Sequence, residues 1–393
     1  MQKLWQKNNV NLNSIVEAFE TKDDLVLDHR LIKYDVMGSL AHAKMLHKIN
    51  ILSKEELKIL KKGLEEILKL DQQGKFILSH GDEDIHTKIE NYLTQNYGEV
   101  GKKIHTARSR NDQVLTAIRL YSKNALTKLM EELLVLNTCL ENFTKEFGHL
   151  AMPGYTHMQK AMPSSVAMWI ESFSASLQDD LTMLKSAYLL NDQSPLGSAA
   201  GYGVSIELDK KYTADQLGFS RVQENPIYCQ NSRGKIEAVI LASIISLLGT
   251  INKFTTDVML FTTTEFGLFT VSDQVTTGSS IMPQKRNVDI AELLRSKVHL
   301  VLGYYVQIIS LSSNLPSGYN RDFQDSKKPL MESLEIGLDC LRVAQILIQN
   351  LSPNESQLAQ AMTSELFATD KALQLVLQGE NFRNAYQKIA KNY

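Results

Sequence analysis

The sequence predicts an all-α protein, and three observations carry the prediction. Proline is scarce, 8 in 393 residues, against a usual share of about 5%, and few prolines mean few helix breakers. Alternation at period two, the mark of a half-buried strand, is too rare for a large sheet. After Ser109, apolar residues recur at Val114, Ile118, Tyr121, Ala125, Leu129, Leu133, Leu136, Leu140, Phe143 and Phe147. Their mean spacing of about 3.67 lies near the 3.6 residues of a helical turn. A helix of this length spans roughly 50 Å, so an elongated central bundle of long helices is expected, flanked by smaller helical N- and C-terminal domains.

Each element follows in order. Residues before about 107 read as shorter helices with a loop near Gly81. Ser109, with Asp112 three residues on, resembles a capping box in which Asp replaces the usual Glu. A second helix should start after Pro163, with Val166, Ile170, Phe173, Leu177, Leu181, Leu184 and Tyr188 as its stripe. It ends before a loop of small residues, Pro195 to Gly203. A third runs from about Arg233 to Phe261 and is apolar nearly all round, which means burial among other helices. A fourth begins near Asp289 and runs to about Leu311. Pro316 and Gly318 mark a loop, and another helix should follow Pro329. Residues after about 355 form a short helical tail. The expected division is a helical domain over 1–107, a long-helix bundle over 108–355 and a short helical segment over 356–393.

Composition bounds the function. Apolar residues make up 43% and charged residues 22%, ordinary globular values that exclude intrinsic disorder. Lys and Arg total 42 against 44 Asp and Glu, a net charge of −2. No block of like charge suggests a nucleic-acid or polyanion binder. Cys139, Cys229 and Cys340 are odd in number and far apart, which favours a reducing, cytoplasmic setting over a disulfide framework. Met1 to Val10 is polar and lacks the apolar core of a secretory signal. The longest strongly apolar run, between Glu237 and Lys253, holds 15 residues, short of the ~20 that span a bilayer.

Four polar, turn-rich segments abut the long helices: Gly81–Glu90, Thr106–Gln113, Pro153–Pro163 and Thr276–Asn287. A fifth, Gly318–Lys328, follows the fourth helix. Loops at helix ends are where functional groups tend to sit, and free N–H groups at a helix start favour anions. Each residue alone has a plainer reading. Ser109, Ser279 or Ser280 could be N-caps, His157 a structural histidine, and Arg108 and Arg110 surface charges. His80 and His86 beside Asp82, Glu83 and Asp84 read as a solvated turn or helix start rather than a metal site, since no HExxH or tight His/Cys cluster exists. Five such segments together point to a helical enzyme or scaffold that binds an anionic small molecule.

The segment Gly278-Ser279-Ser280-Ile281-Met282-Pro283-Gln284-Lys285-Arg286-Asn287 resembles the GSSxMPxKxN loop of the fumarase/aspartase superfamily. Within it, Thr106–Gln113 (TARSRNDQ) is similar to the version found in the argininosuccinate lyase family. Asp82–Thr87, Gly154–Gln159, Tyr319–Asp322 and Tyr34-Asp35 with Gly38-Ser39 resemble the same family. The resemblance runs from about Leu4 to Tyr386. There are departures. The family's Leu-Trp-Gly-Gly-Arg-Phe is here Leu4-Trp5-Gln6-Lys7-Asn8-Asn9, and the Pro after the signature Asn is Val288. Its Ser-x-Arg-Asp is Asn231-Ser232-Arg233-Gly234, and the tail stops some tens of residues earlier than in many relatives.

The resemblance implies a fumarase/aspartase-like helical fold and a homotetramer. Its long helices pool into one core, and active sites form where subunits meet. It would explain the all-round apolar third helix as one that a single chain cannot bury. It implies reversible β-elimination of argininosuccinate to arginine and fumarate, with no cofactor, no metal, and no nucleic-acid or membrane partner. Ser279 would be the base and His157 the acid, oriented by Glu292. Lys285 and Asn287 would meet the succinate carboxylates. Ser39, Asn111, Thr156, Tyr319, Gln324 and Lys327 fall on substrate-binding positions, with His86 and Arg110 in support. Another superfamily lyase, adenylosuccinate lyase being the nearest, or a non-catalytic crystallin-like relative remain alternatives.

Overall fold

The computed structural model describes residues 13–78 and 82–393. The Leu4–Asn9 departure, His80 and Gly81 lie outside the described residues. Helices α1 (Ser14–Leu27), α2 (Ile32–Lys48), α3 (Lys54–Gln72), α4 (Ile85–Tyr97) and the short α5 (Glu99–Lys102) come first. Helix α6 (Arg110–Phe147) is the 38-residue rod expected from the periodicity. A hairpin of β1 (Ala151–Thr156) and β2 (Gln159–Ser165) leads into α7 (Val166–Asn191). Strand β3 (Gln193–Ser194), α8 (Lys210–Gln216), β4 (Arg221–Val222) and α9 (Pro226–Asn231) precede α10 (Lys235–Phe261). Short strands β5 (Phe269–Val271), β6 (Thr277–Gly278) and β7 (Arg286–Asn287) lie before α11 (Asp289–Leu311). Then come α12 (Lys327–Gln349), β8 (Leu351–Pro353), α13 (Glu355–Ala361), α14 (Ala368–Leu377) and α15 (Phe382–Ala390).

The chain forms two compact units. One comprises Met1–Lys128, Leu184–Ser243 and Val301–Glu335; the other comprises Leu129–Met183, Ile244–Leu300 and Ile336–Tyr393. Every boundary falls inside one of the long helices α6, α7, α10, α11 and α12. Segment 1–107 thus belongs to the first unit, segment 356–393 to the second, and segment 108–355 divides between them.

In the first unit, α2, α3 and α4 close over a core that includes Ile32, Leu46, Leu60, Leu64, Ile67, Ile89 and Leu93, each at most 2% exposed. Burial of each contributes about 1.5–3 kcal/mol. Gly63 permits the close approach of α3 to α4, since a Cβ there would lie 2.5 Å from Leu93 Cδ2. Ser53 and Glu56 form a reciprocal capping box at the start of α3.

In the second unit, Trp169 anchors an aromatic cluster, with ring centroids 5.0 Å from Phe269 and 5.5 Å from Phe261. Its Nε1 donates to Asp257 at 3.0 Å, so the one polar atom of the indole is satisfied. Between α7 and α10, Ser246 and Thr250 each donate to the buried Asp180 carboxylate at 2.6 Å.

Four expectations need correction. Helix α10 does not depend on other chains for burial: Ile240, Leu241, Ile244, Leu247, Leu248 and Val258 are at most 1% exposed within this one. Uncovered apolar side chains lie on α11, where Leu293, Leu300, Leu302, Val306 and Ile309 are 42–59% exposed, and also on α1, α6 and α7. The 15-residue run lies in a stretch, Pro226–Phe261, that is long and apolar enough to cross a membrane by length and composition, with 61% of its most apolar window buried in the chain. Helix α12 starts at Lys327, before Pro329 rather than after it; the proline sits in the first turn, where its missing N–H has no acceptor to lose. The acidic run Asp82–Asp84 is a helix start but not a solvated one, all three residues being at most 6% exposed.

Candidate active site

The candidate residues of the first unit gather at the start of α6. Asp112 Oδ1 accepts the Ser109 N–H at 3.0 Å, one half of the expected capping box. The other half differs: Ser109 Oγ accepts from the Asn111 N–H at 3.3 Å. Asp112 Oδ2 accepts from the Gly197 and Ala199 N–H groups at 3.0 and 2.9 Å, so one carboxylate joins the helix start to the small-residue loop. Burial pushes the Asp112 carboxyl up, although those N–H donors and Arg108 pull the other way.

Arg110, in the first turn of α6, bridges Glu83 at 2.8 Å and Asp84. Burial disfavours its charge, but Asp84 and Glu83 outweigh burial and its pKa rises. Asp84 also caps α4, accepting the Thr87 N–H at 2.8 Å. His86 Nδ1 donates to Asp35, and both side chains are 2% exposed. Burial alone would strip the His86 proton, yet Asp35, with Asp84 and Asp28, holds its pKa above the ordinary value. Ser39, fully buried, donates to Asp35 Oδ1 at 3.2 Å and accepts from Arg108 Nη1 at 2.9 Å.

The segment Arg321–Ser326 carries Gln324, and Tyr319 and Lys327 flank it. Gln324 Nε2 donates to the Glu20 carbonyl at 2.6 Å. Lys327 Nζ, 3% exposed, donates to Asp24 at 2.7 Å and Asp28 at 2.6 Å. Burial works against the Lys327 charge, but the two carboxylates raise its pKa. Asp24 moves upward, through burial and the neighbouring Asp28, despite Lys327 beside it. Arg233, 3% exposed, lies over Tyr319 with its guanidinium 5.1 Å from the ring centroid.

Arg110, Asn111, Tyr319, Gln324 and Lys327 all line one cavity of about 590 Å³. Ser39 and His86 are buried and stand outside its wall. Sequence reasoning left Arg233 and Arg108 out of the candidate set, although both line this cavity. The charge of Arg108 was legible; its burial, 9% exposed, was not.

The second unit holds the other candidates. Strands β6 and β7 pair Thr277 with Asn287 and Gly278 with Arg286, closing the loop 279–285. The half-buried Ser279 turns its Oγ inward, where it accepts N–H groups from Met282 at 3.1 Å and Ile281 at 3.3 Å. Lys285 is exposed and its N–H donates to the Met282 carbonyl at 3.0 Å. Asn287 ends the loop, and Glu292 is exposed in the first turn of α11. The Thr277 hydroxyl donates to Asp289, which ties the loop base to that helix.

The segment Pro153–Pro163, expected as a loop, is most of a hairpin. Thr156 pairs with Gln159, so His157 and Met158 form a two-residue turn with φ of +53° and +60°. Two left-handed residues make the turn whose twist matches paired strands. His157 thereby sits at an exposed tip, bordering a cavity of about 370 Å³ with Tyr155, Trp169 and Asp257. Among the described residues no hydrogen bond joins His157 to Glu292 or to Ser279.

A chain of long helices with this serine-bearing loop matches a family of lyases. The family model described as "Lyase" matches residues 10–303. A variant of EDDS lyase solved with bound fumarate superimposes with a TM-score of 0.82 at 21% identity, covering 97% of this chain and 76% of that one. A class II fumarase from Schistosoma mansoni gives 0.78 at 16% identity, over 97% and 90%. At these identities the likeness establishes the fold.

Curated sequences narrow the class. Argininosuccinate lyase of Thermotoga neapolitana is 44% identical over 392 residues, covering 100% of this chain and 98% of its own. Those of Parabacteroides distasonis and Sorangium cellulosum are each 40% identical over 99% of this chain, covering 87% and 90% of their own lengths. The chain belongs to the argininosuccinate lyase family.

Proposed function

We propose that this protein is a carbon–nitrogen lyase that cleaves argininosuccinate reversibly to L-arginine and fumarate, in arginine biosynthesis. Full-length identity of 44% to a curated argininosuccinate lyase carries the reading. The reaction is a β-elimination. A base takes a proton from the carbon beside a carboxylate, the C–N bond breaks, and an acid returns a proton to the leaving guanidino nitrogen. The carbon acid is very weak, so the aci-carboxylate that forms needs electrostatic support.

Ser279 is the base in this reading. A neutral serine is too weak, and its alkoxide requires donors and exclusion of water. The N–H groups of Ile281 and Met282, already directed at Oγ, are donors of that kind. Lys285 and Asn287 bind the succinate carboxylates and the charge that develops on them. His157 is the acid, oriented by Glu292. Thr156, Asn111, Tyr319, Gln324 and Lys327 contact substrate; Arg110, expected in support, lines the same cavity and joins them, while Ser39, expected as a contact, is fully buried and with His86 supports them.

Within the same proposal the enzyme is a cytoplasmic homotetramer with sites shared between subunits. The uncovered apolar residues of α11 support self-association, and the three free cysteines suit a reducing compartment. Ultraviolet absorbance of fumarate tests the activity directly. The purified chain should release fumarate from argininosuccinate and not from adenylosuccinate; the reverse preference would overturn the assignment.

A further inference from the structure

The cations that border the first unit's cavity are not equally available. Lys327 is neutralised by Asp24 and Asp28, and Arg110 by Glu83 and Asp84. The exposed Arg321 reaches Glu20 at 3.4 Å, and Arg233 rests on the rings of Tyr319 and Phe323. Arg108 is different. It is 9% exposed, lines the cavity and makes no ion pair among the described residues, the carboxylates of Asp35, Asp112 and Glu90 acting on it only from beyond ion-pair distance. Of its five donors, Nη1 serves the Ser39 hydroxyl at 2.9 Å, while Nε is buried without an acceptor. A buried guanidinium with an unmet donor is costly, an anion at its cavity side offsets that cost, and its planar fork matches a carboxylate.

The surroundings hold this side chain in place. The Arg108 N–H bonds the His105 carbonyl at 3.1 Å, closing a turn through Ala107 at φ +58°. Ser39 accepts from Nη1 and donates to Asp35 Oδ1, and the other Asp35 oxygen is held by His86. A chain of polar contacts thus leads from the core to the cavity wall. Ser39 is fully buried, so its hydroxyl meets Arg108 rather than a ligand.

We propose that Arg108 binds a substrate carboxylate in this cavity, and that Ser39 and Asp35 are positioning residues that hold its guanidinium. The inference rests on the proposed lyase reaction but has a readout apart from turnover. Two carboxylate sources exist, the succinate half and the α-carboxylate of the arginine half. Calorimetric binding of succinate and of L-arginine separates them.

Arg108→Gln should weaken one of these two probes by about 10–100-fold, the scale of a hydrogen bond to a charged group. It should raise the KM for argininosuccinate similarly with kcat largely kept. Arg108→Lys, which retains charge and guards against a folding defect, should recover only part of the loss. Ser39→Ala should raise KM and weaken the same probe several-fold, and should add nothing in the Arg108→Gln background, because it acts through that side chain. Two results would overturn the inference: Arg108 variants, folded by circular dichroism, that bind both probes as wild type does, or a Ser39→Ala effect that persists undiminished without Arg108. If wild type releases no fumarate while Arg108→Gln still loses a probe, the lyase reading fails and the carboxylate site stands.

Discussion

Lys285 and His86 show how differently two charges can serve one protein. The succinate carboxylate carries −1 in the substrate and about −2 in the aci-carboxylate, so a fixed cation is worth more as the proton leaves. In the proposed mechanism, Lys285→Met should lower kcat by roughly 10²–10³, and Lys285→Arg should rescue poorly, a planar fork being no substitute for a point charge. Steady-state kinetics checks this; an unchanged kcat with a raised KM would falsify the catalytic role. His86 acts on stability. Its folded pKa lies above the ordinary 6.5 because Asp35 overrides burial. Its contribution is therefore complete below about pH 6.5 and is lost as pH rises through the folded value. Asp35 runs the other way, since His86 overcomes burial and lowers its pKa below 3.8. That contribution is present above about pH 4 and is lost as pH falls through the lowered value. Urea midpoints should decline as pH is raised above 6.5, and His86→Gln should flatten the decline; equal slopes in both proteins would contradict the assignment. The pairing was not legible in the sequence, because Asp35 and His86 lie 51 residues apart and nothing local records their contact.

The long helices were legible because each satisfies its own periodicity. Helix α11 runs from Asp289 to Leu311 as expected, and α6 ends at Phe147 where the apolar stripe ends. The β1–β2 hairpin was not legible. Its turn residues, His157 and Met158, lack the Asn-Gly chemistry that usually marks two left-handed positions. That mismatch gives a prediction. Asn tolerates the left-handed region, so His157→Asn should keep the hairpin and its stability while fumarate release falls nearly to zero. His157→Val removes the same imidazole but places a β-branched residue at φ +53°, so it should also lower the melting temperature. Comparing the two by thermal denaturation and activity separates the turn from the chemistry; equal stability would show that the turn conformation does not constrain this position.

Self-association belongs to the whole molecule. The burial of α10 shows that an all-round apolar helix does not by itself report a subunit interface, since this chain covers it alone. The α11 residues left uncovered are the better indicator. A tetramer should appear by light scattering at micromolar concentration. If its sites are shared, Ser279→Ala and His157→Asn chains, each nearly inactive, should regain some activity when unfolded and reassembled together. Hybrids confirmed by mass that recover nothing, while wild type does, would refute sharing. The Lys327 cluster has a consequence in time. Its carboxylates precede the lysine by 303 and 299 residues. At about 5–20 residues per second on the ribosome, roughly 15–60 s pass between their synthesis and its own. Through that interval Asp24 and Asp28 lack their cation, although Asp28 can already accept from the Ile85 N–H, and α1 lacks its tie to Lys327. Helix α1, the earliest of the described helices in the sequence, thus gains this tie only after about 300 further residues have been made.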